Sequence, residues 1–230
     1  EDNVDLNRNH IDHAAPYPDN PGYRALRDAI CPPAWDEAAR ATAQARLDAH
    51  ADEHGWMSLQ QAISGGQYFD DKGVFFGGNR PTWSARTLYR VMAEHAAGAA
   101  HVGFIDYHTG LGPYGYGELI AHSPAGDPGL ARLKAWLSDE VTSFDDGSST
   151  SAPLTGTNGD GITAHLPADA SFTMVTLEYG TTAISEVLDS VRGDCWLHAH
   201  GDLDSAEGKA IKAEIRRCFY ADADDWKQMV

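Results

Sequence analysis

Cysteine is scarce in this chain: Cys31, Cys195 and Cys218 are the only three in 230 residues. They lie far apart and form no C-x-x-C pair, so neither a disulfide framework nor a cysteine zinc knot is indicated, and their number fixes no compartment. Basic residues are scarce too, 17 against 34 acidic ones, for a formal charge of -17. Such a chain lacks the basic face that phosphate contacts need, and nucleic acid is not an expected partner. No apolar run approaches the roughly 18 residues of a membrane helix, and no basic-then-apolar leader is seen, so no membrane association is expected. The chain reads as soluble, with the cytoplasm favoured over secretion. Internal repeats and a clean domain boundary are also missing, so residues 1–230 read as one domain. A hydrophobic content of 42% and six tryptophans are enough for a real core.

Residues 1–21 are dense in Asp, Asn, His and Pro and read as an irregular loop headed by Asp5-Leu6-Asn7-Arg8-Asn9. Helix-forming residues after Pro32-Pro33 predict a helix over 34–54, and a second over 58–63. Glycine pairs bracket 67–76, an aromatic hairpin or extended loop around Asp71-Lys72-Gly73. Thr82 caps a helix from about 83 to 97, with Leu88, Val91, Met92 and His95 at helical spacing. A strand then runs from Val102 to His108 and stops at a glycine-rich turn. A short strand over 118–122 and a helix over 128–137 follow. The Ser, Thr, Gly and Asp of 143–161 read as a mobile, lid-like loop. Phe172 to Gly180 is a second strand, and helices are expected over 182–191, 194–200 and 205–219. Strands separated by helices predict an α/β fold with a parallel or mixed sheet.

Two strands thus end in chemical groups, His108 and Glu178, and one loop offers Asn7 and Arg8. Strand ends of open α/β sheets are where such folds present ligands. Neutral imidazole is the commonest metal ligand, a buried carboxylate suits water activation, and an arginine fork suits a substrate carboxylate. Each residue alone also has a plain reading as a hydrogen-bonded structural group.

Taken in order, Asp5-Leu6-Asn7-Arg8-Asn9, Ile105-Asp106-Tyr107-His108-Thr109-Gly110 and Thr176-Leu177-Glu178-Tyr179-Gly180-Thr181 resemble the second half of the zinc carboxypeptidase-like superfamily, in its bacterial and fungal branch related to succinylglutamate desuccinylase and aspartoacylase. Asn20-Pro21-Gly22-Tyr23, Gly77-Gly78-Asn79-Arg80-Pro81 and Leu111-Gly112-Pro113-Tyr114-Gly115 extend the match over nearly the whole chain. The resemblance implies a mixed, twisted sheet flanked by helices on both faces. It implies zinc as cofactor with His108 as a ligand, Glu178 as general base, and Asn7 and Arg8 as the clamp on the substrate's carboxylate. The implied reaction is hydrolysis of an amide next to a free carboxylate, in a short peptide or an N-acyl amino acid.

One part of the pattern is missing. In the superfamily the first two zinc ligands come from a His-x-x-Glu motif upstream of Asp-Leu-Asn-Arg-Asn, and this sequence opens only a few residues before that point. An N-terminally truncated domain is therefore expected, with weak zinc binding by the chain alone and an exposed sheet edge that a missing segment or partner chain would cover. His50-Ala51-Asp52-Glu53 fits His-x-x-Glu literally, but on a polar helix where a solvated face explains it. His10 and His13 neighbour Arg8, and His198 and His200 alternate, without a stronger claim. Asp106 either orients His108 or is a buried acid tied to backbone amides. Tyr114 either lines a pocket or packs its own loop. The rival class is a non-catalytic carboxylate-binding domain with an incomplete metal site.

Overall fold

The computed structural model describes residues 3–144 and 147–230. Residues 1–2, at the head of the expected N-terminal loop, and 145–146, inside the expected 143–161 loop, lie outside the described residues. The chain divides into two compact units, Glu1–Thr87 with Ala152–Gly161 and Asp189–Ile215, and Leu88–Ser151 with Ile162–Leu188 and Arg216–Val230. No helix among the described residues is long and apolar enough to cross a membrane.

In the first unit, Asn20 accepts the Tyr23 N–H and Pro21 supplies the first turn of α1 (Pro21–Ile30), a helix not anticipated within the Pro- and Asn-rich stretch. The Asn20 amide also donates to Ala62 O and Gly66 O, both at 2.9 Å, so one residue starts α1 and fastens it to the end of α3 (Trp56–Ser64). Asp36 caps α2 (Glu37–His54), which ends at Gly55 with φ of 88°. The three helices pack on one another and bury Tyr23, Ile30, Leu47 and Leu59. The chain also forms α4 (Trp83–His95), α6 (Asn158–Thr163, in the stretch expected to be loop) and α7 (Ile184–His200). One continuous α7 replaces the two helices expected on either side of Gly193.

The second unit holds a mixed three-stranded sheet in the order β1-β3-β2, made of β1 (His101–Tyr114), β2 (Gly117–Ala121) and β3 (Ser171–Gly180). β1 runs parallel to β3 and β2 antiparallel to it, an α/β fold with a mixed sheet. Alternation along the strands divides the core into two faces. Val102, Phe104 and Phe172 pack with Leu88, Met92 and Ala96 at the end of α4 and with Ile162. Leu119, Ala121 and Val175 pack instead with Leu130 and Leu133 of α5 (Pro128–Trp136). Helices therefore cover both faces. β1 is an edge of this sheet, and Ile105 and Tyr107 on it are 52% and 70% exposed. The unit is completed by residues 216–219 at the end of α8 (Ala206–Phe219) and by α9 (Asp224–Met229).

The glycine turn expected after His108 is instead a bulge inside β1. Thr109 pairs with Tyr179 and Tyr114 with Gly180, so residues 110–113 loop out of register. Gly110 and Gly112, with φ of 134° and 96°, supply backbone that other residues rarely adopt. The bulge closes against Gly180, where an added Cβ would run into the Pro113 and Gly112 carbonyls. Gly180→Ala is expected to cost about 1–3 kcal/mol in urea unfolding, because backbone rather than a mobile side chain would have to yield.

Candidate active site

Register places three titratable groups in one row across the sheet, His108 of β1 opposite Glu178 of β3, and Glu178 opposite Glu118 of β2. Two positions back toward the start of β1 lies Asp106, on the same face. The switch from Phe104 and Met174 to these polar residues marks where the core stops and the strand ends begin. His108 Nε2 is 3.1 Å from Asp106 Oδ2, and its Nδ1 is 3.6 Å from Glu178 Oε2. The imidazole thus lies between two carboxylates, one of them the Asp106 carboxylate on its own strand.

Glu178 is 5% exposed. Its Oε1 accepts the Leu111 N–H at 3.0 Å, a donor delivered by the glycine bulge. Burial raises its pKa, an effect partly offset by the Leu111 N–H and by His108, with Glu118 and Asp106 adding smaller upward pushes. Glu118 is itself buried and accepts from Thr142 Oγ1 at 2.7 Å, from Thr150 N at 3.1 Å and from Thr150 Oγ1. Tyr114, past the bulge, is 44% exposed and donates to Asp225 of α9 at 3.1 Å.

A catalytic zinc takes three protein donors and leaves a position open. Among the described residues no group of three or more His, Cys, Asp or Glu is placed to hold a metal ion. The donor chemistry fits one arm of such a site, His108 with its orienting carboxylate, and further donors would have to come from outside the described residues. The literal His50-x-x-Glu53 match lies on α2, where the His50 ring contacts His54. His198 and His200 lie on helix α7, not on a strand, and His198 Nε2 is 3.8 Å from Asp194.

In the first unit, the Asp-Leu-Asn-Arg-Asn motif forms a short 3-10 turn, Leu6–Arg8, capped by Asp5. Every polar side chain of the motif is held. Asn7 Oδ1 accepts the Asn158 N–H at 2.8 Å. Arg8 is buried, with Nε donating to Ser64 O at 3.0 Å, Nη1 donating to Asp5 Oδ2 at 3.1 Å, and its guanidinium over the Phe75 ring at 4.8 Å. Asn9 accepts from Thr82 N and donates to Gly77 O and Arg80 O, all at 2.9 Å. His10 Nε2 lies 3.0 Å from Asn158 Oδ1, and His13 Nε2 lies 2.9 Å from Asn9 O. An open cleft of about 650 Å³ is lined by Asp5 and Phe75, with Asn3, Val4, Leu6 and Thr82 to Ser84, but not by Arg8 itself.

The Arg8 carbonyl accepts from Tyr68 Oη at 2.6 Å, and burial pushes the Tyr68 hydroxyl up to about 12. An unfolded tyrosine ionises near pH 10, so the protonated Tyr68 contributes stability in full below about pH 10 and loses it as pH rises through about 12. Tyr68→Phe is expected to cost about 1 kcal/mol near neutrality and to weaken this alkaline loss. Urea unfolding of both proteins near pH 7 and near pH 11 checks it.

In the sequence His108, Glu178 and Asp106 stand out at strand ends, whereas Glu118 is marked only as the first residue of the short strand over 118–122. Its alternation with Leu119 in a short β pattern marks a face, but the pairing with Glu178 depends on long-range register.

Fold and site define a mixed α/β protein carrying a histidine–carboxylate–carboxylate row, His108, Glu178 and Glu118, across its sheet, with Asp106 beside His108. Residues 1–230 match the family described as Protein of unknown function (DUF2817), and the chain belongs to that family. No curated protein and no solved structure matches it.

Proposed function

We propose that this chain carries the base and one metal ligand of a zinc carboxypeptidase-like hydrolase, which cleaves an amide next to a free carboxylate in a short peptide or an N-acyl amino acid. The observation that supports this reading best is the pairing of His108 with Glu178 on neighbouring parallel strands, Nδ1 and Oε2 being 3.6 Å apart. The ordered motif resemblance adds the reaction class. Zinc bound through His108 supplies a Lewis acid for the scissile carbonyl and lowers the pKa of water toward neutrality. Glu178 takes the proton from the attacking water and passes it to the leaving amine. Its Oε1 is occupied by the Leu111 N–H, which leaves Oε2 for the proton. Asp106 holds the His108 ring in one orientation.

Asn7 and Arg8, which the resemblance assigns to a substrate carboxylate, lie in the first unit, where Asp5 Oδ2 already takes the Arg8 Nη1 donor at 3.1 Å.

The test is amine release by the zinc-loaded native protein from N-acyl amino acids, short peptides and the same compounds with the carboxylate amidated. Turnover of the free acids alone is expected. Equal turnover of the amidated compounds would remove the carboxylate requirement, and binding without release from any compound would favour the non-catalytic carboxylate-binding domain.

A further inference from the structure

The fold brings together two cysteines that are far apart in sequence. Cys31 closes the C-terminal end of α1, Cys195 lies on α7, and their sulfurs are 3.9 Å apart with both thiols free. A turn of the 67–76 segment lies against them. Cys195 Sγ donates to Lys72 O at 3.1 Å, and the Val74 N–H donates to Cys31 Sγ at 3.3 Å. Tyr23 Oη is also 3.3 Å from Cys31 Sγ. Cys31 is 6% exposed, and Cys195 is half-buried.

This is the arrangement of a reactive thiol beside a resolving one. The Val74 N–H points at the Cys31 sulfur, and the single Cys195 S–H can turn from Lys72 O to it, so two donors can stabilise its thiolate, while Tyr23 Oη donates to Val74 O at 2.9 Å. The Cys31 thiol is held below its usual range, first by its contact with the Cys195 thiol and also by the Val74 N–H, against the opposing effect of burial. The Cys195 thiol is pushed up by its contact with Cys31 and by burial. The near-complete burial of Cys31 favours a small oxidant over a bulky one.

We propose that Cys31 and Cys195 form a reversible peroxide-responsive disulfide pair. The Cys31 thiolate attacks one oxygen of hydrogen peroxide, the O–O bond breaks, and hydroxide leaves as Cys31 becomes a sulfenic acid. Hydroxide takes up the proton that Cys31 gave when it ionised. The Cys195 sulfur then attacks the Cys31 sulfur, and the sulfenic hydroxyl leaves as water with the Cys195 proton. Two thiols are oxidised to one disulfide, and one peroxide is reduced to two waters. The sulfurs must close from 3.9 Å to about 2.05 Å, within reach of side-chain rotation and small backbone adjustment.

The closed bond ties the end of α1 to α7 across the Lys72–Val74 turn and removes the thiol that donates to Lys72 O. That segment also carries Phe75, whose ring lies 4.8 Å from the Arg8 guanidinium.

The test is equimolar hydrogen peroxide added to the reduced native protein, followed by thiol counting and peptide mapping by mass spectrometry. The expected result is loss of two thiols from this chain in one Cys31–Cys195 linked peptide, reversed by dithiothreitol, with Cys218 untouched. In Cys195→Ser the sulfenic acid is expected to persist on Cys31 and to be captured there by dimedone. A chain that keeps all its thiols, one oxidised first at Cys218, or a Cys195→Ser protein whose Cys31 gives no dimedone adduct would each overturn the proposal.

Discussion

Glu178→Gln is expected to lower amide hydrolysis by the zinc-loaded native protein by about 10²–10⁴-fold, chiefly in kcat, while the fold stays in place. Glutamine keeps an oxygen for the Leu111 N–H, so the bulge of β1 retains its anchor. It also fills the same volume in a site where Glu178 is only 5% exposed. What disappears is the basic oxygen beside His108. Steady-state kinetics with circular dichroism of the variant separate lost chemistry from lost structure. Undiminished kcat in a folded Glu178→Gln protein would mean that another group accepts the proton.

Arg192→Ala is expected to produce the largest loss of stability, about 3–5 kcal/mol. Arg192 is 1% exposed. Its Nη2 donates to Ala29 O at 2.8 Å and its Nε to Ile30 O at 3.3 Å, which satisfies carbonyls at the end of α1. Its Nη1 donates at 3.3 Å both to Gln44 Oε1 on α2 and to Asp189 Oδ1 on α7. One guanidinium therefore joins three helices, and alanine leaves those carbonyls inside the unit without a donor. Burial lowers the Arg192 pKa, with the nearby Asp189 opposing it, yet an arginine starting above 12 remains charged at neutral pH. Arg192→Lys is expected to recover only part of the loss, because a single ammonium cannot span both the carbonyls and Gln44. A drop in Tm on the order of 10 °C is expected for alanine. A melting point within about a degree of the parent would show that water replaces these contacts at no cost.

How much of this was legible depends on whether the signal was local. The β-branched and aromatic runs of β1 and β3, and the acid or histidine at their ends, are local, and both strands were read. The Asn20-Pro21 cap of α1 was present in the sequence but submerged in a stretch rich in loop residues. Gly193 suggested a break in α7, since glycine costs about 1 kcal/mol inside a helix. In the structure a Cβ there would sit 3.0 Å from the Trp35 ring, so the glycine serves packing rather than a break. The glycines after His108 announced irregular backbone but not whether it would be a turn or a bulge. Glu118 beside Glu178, Cys31 beside Cys195 and Arg192 at the end of α1 are long-range pairings. No spacing rule reaches them. Asn7 and Arg8 of the Asp-Leu-Asn-Arg-Asn motif were read for substrate binding; in the structure the side chains of Asn7, Arg8 and Asn9 are each joined to another segment of their own unit, and Asp5 holds Arg8 within the motif.

The role of His108 is tested most directly by the zinc affinity of the native protein, its His108→Ala variant and its Glu178→Gln variant, measured by competition with a chromogenic chelator. His108→Ala is expected to lose zinc, because it removes a donor, while Glu178→Gln keeps it, because Glu178 acts on the proton and not on the metal. Stoichiometric, tightly held zinc in His108→Ala would contradict the assignment of His108 as a metal ligand, and with it the proposed hydrolytic site.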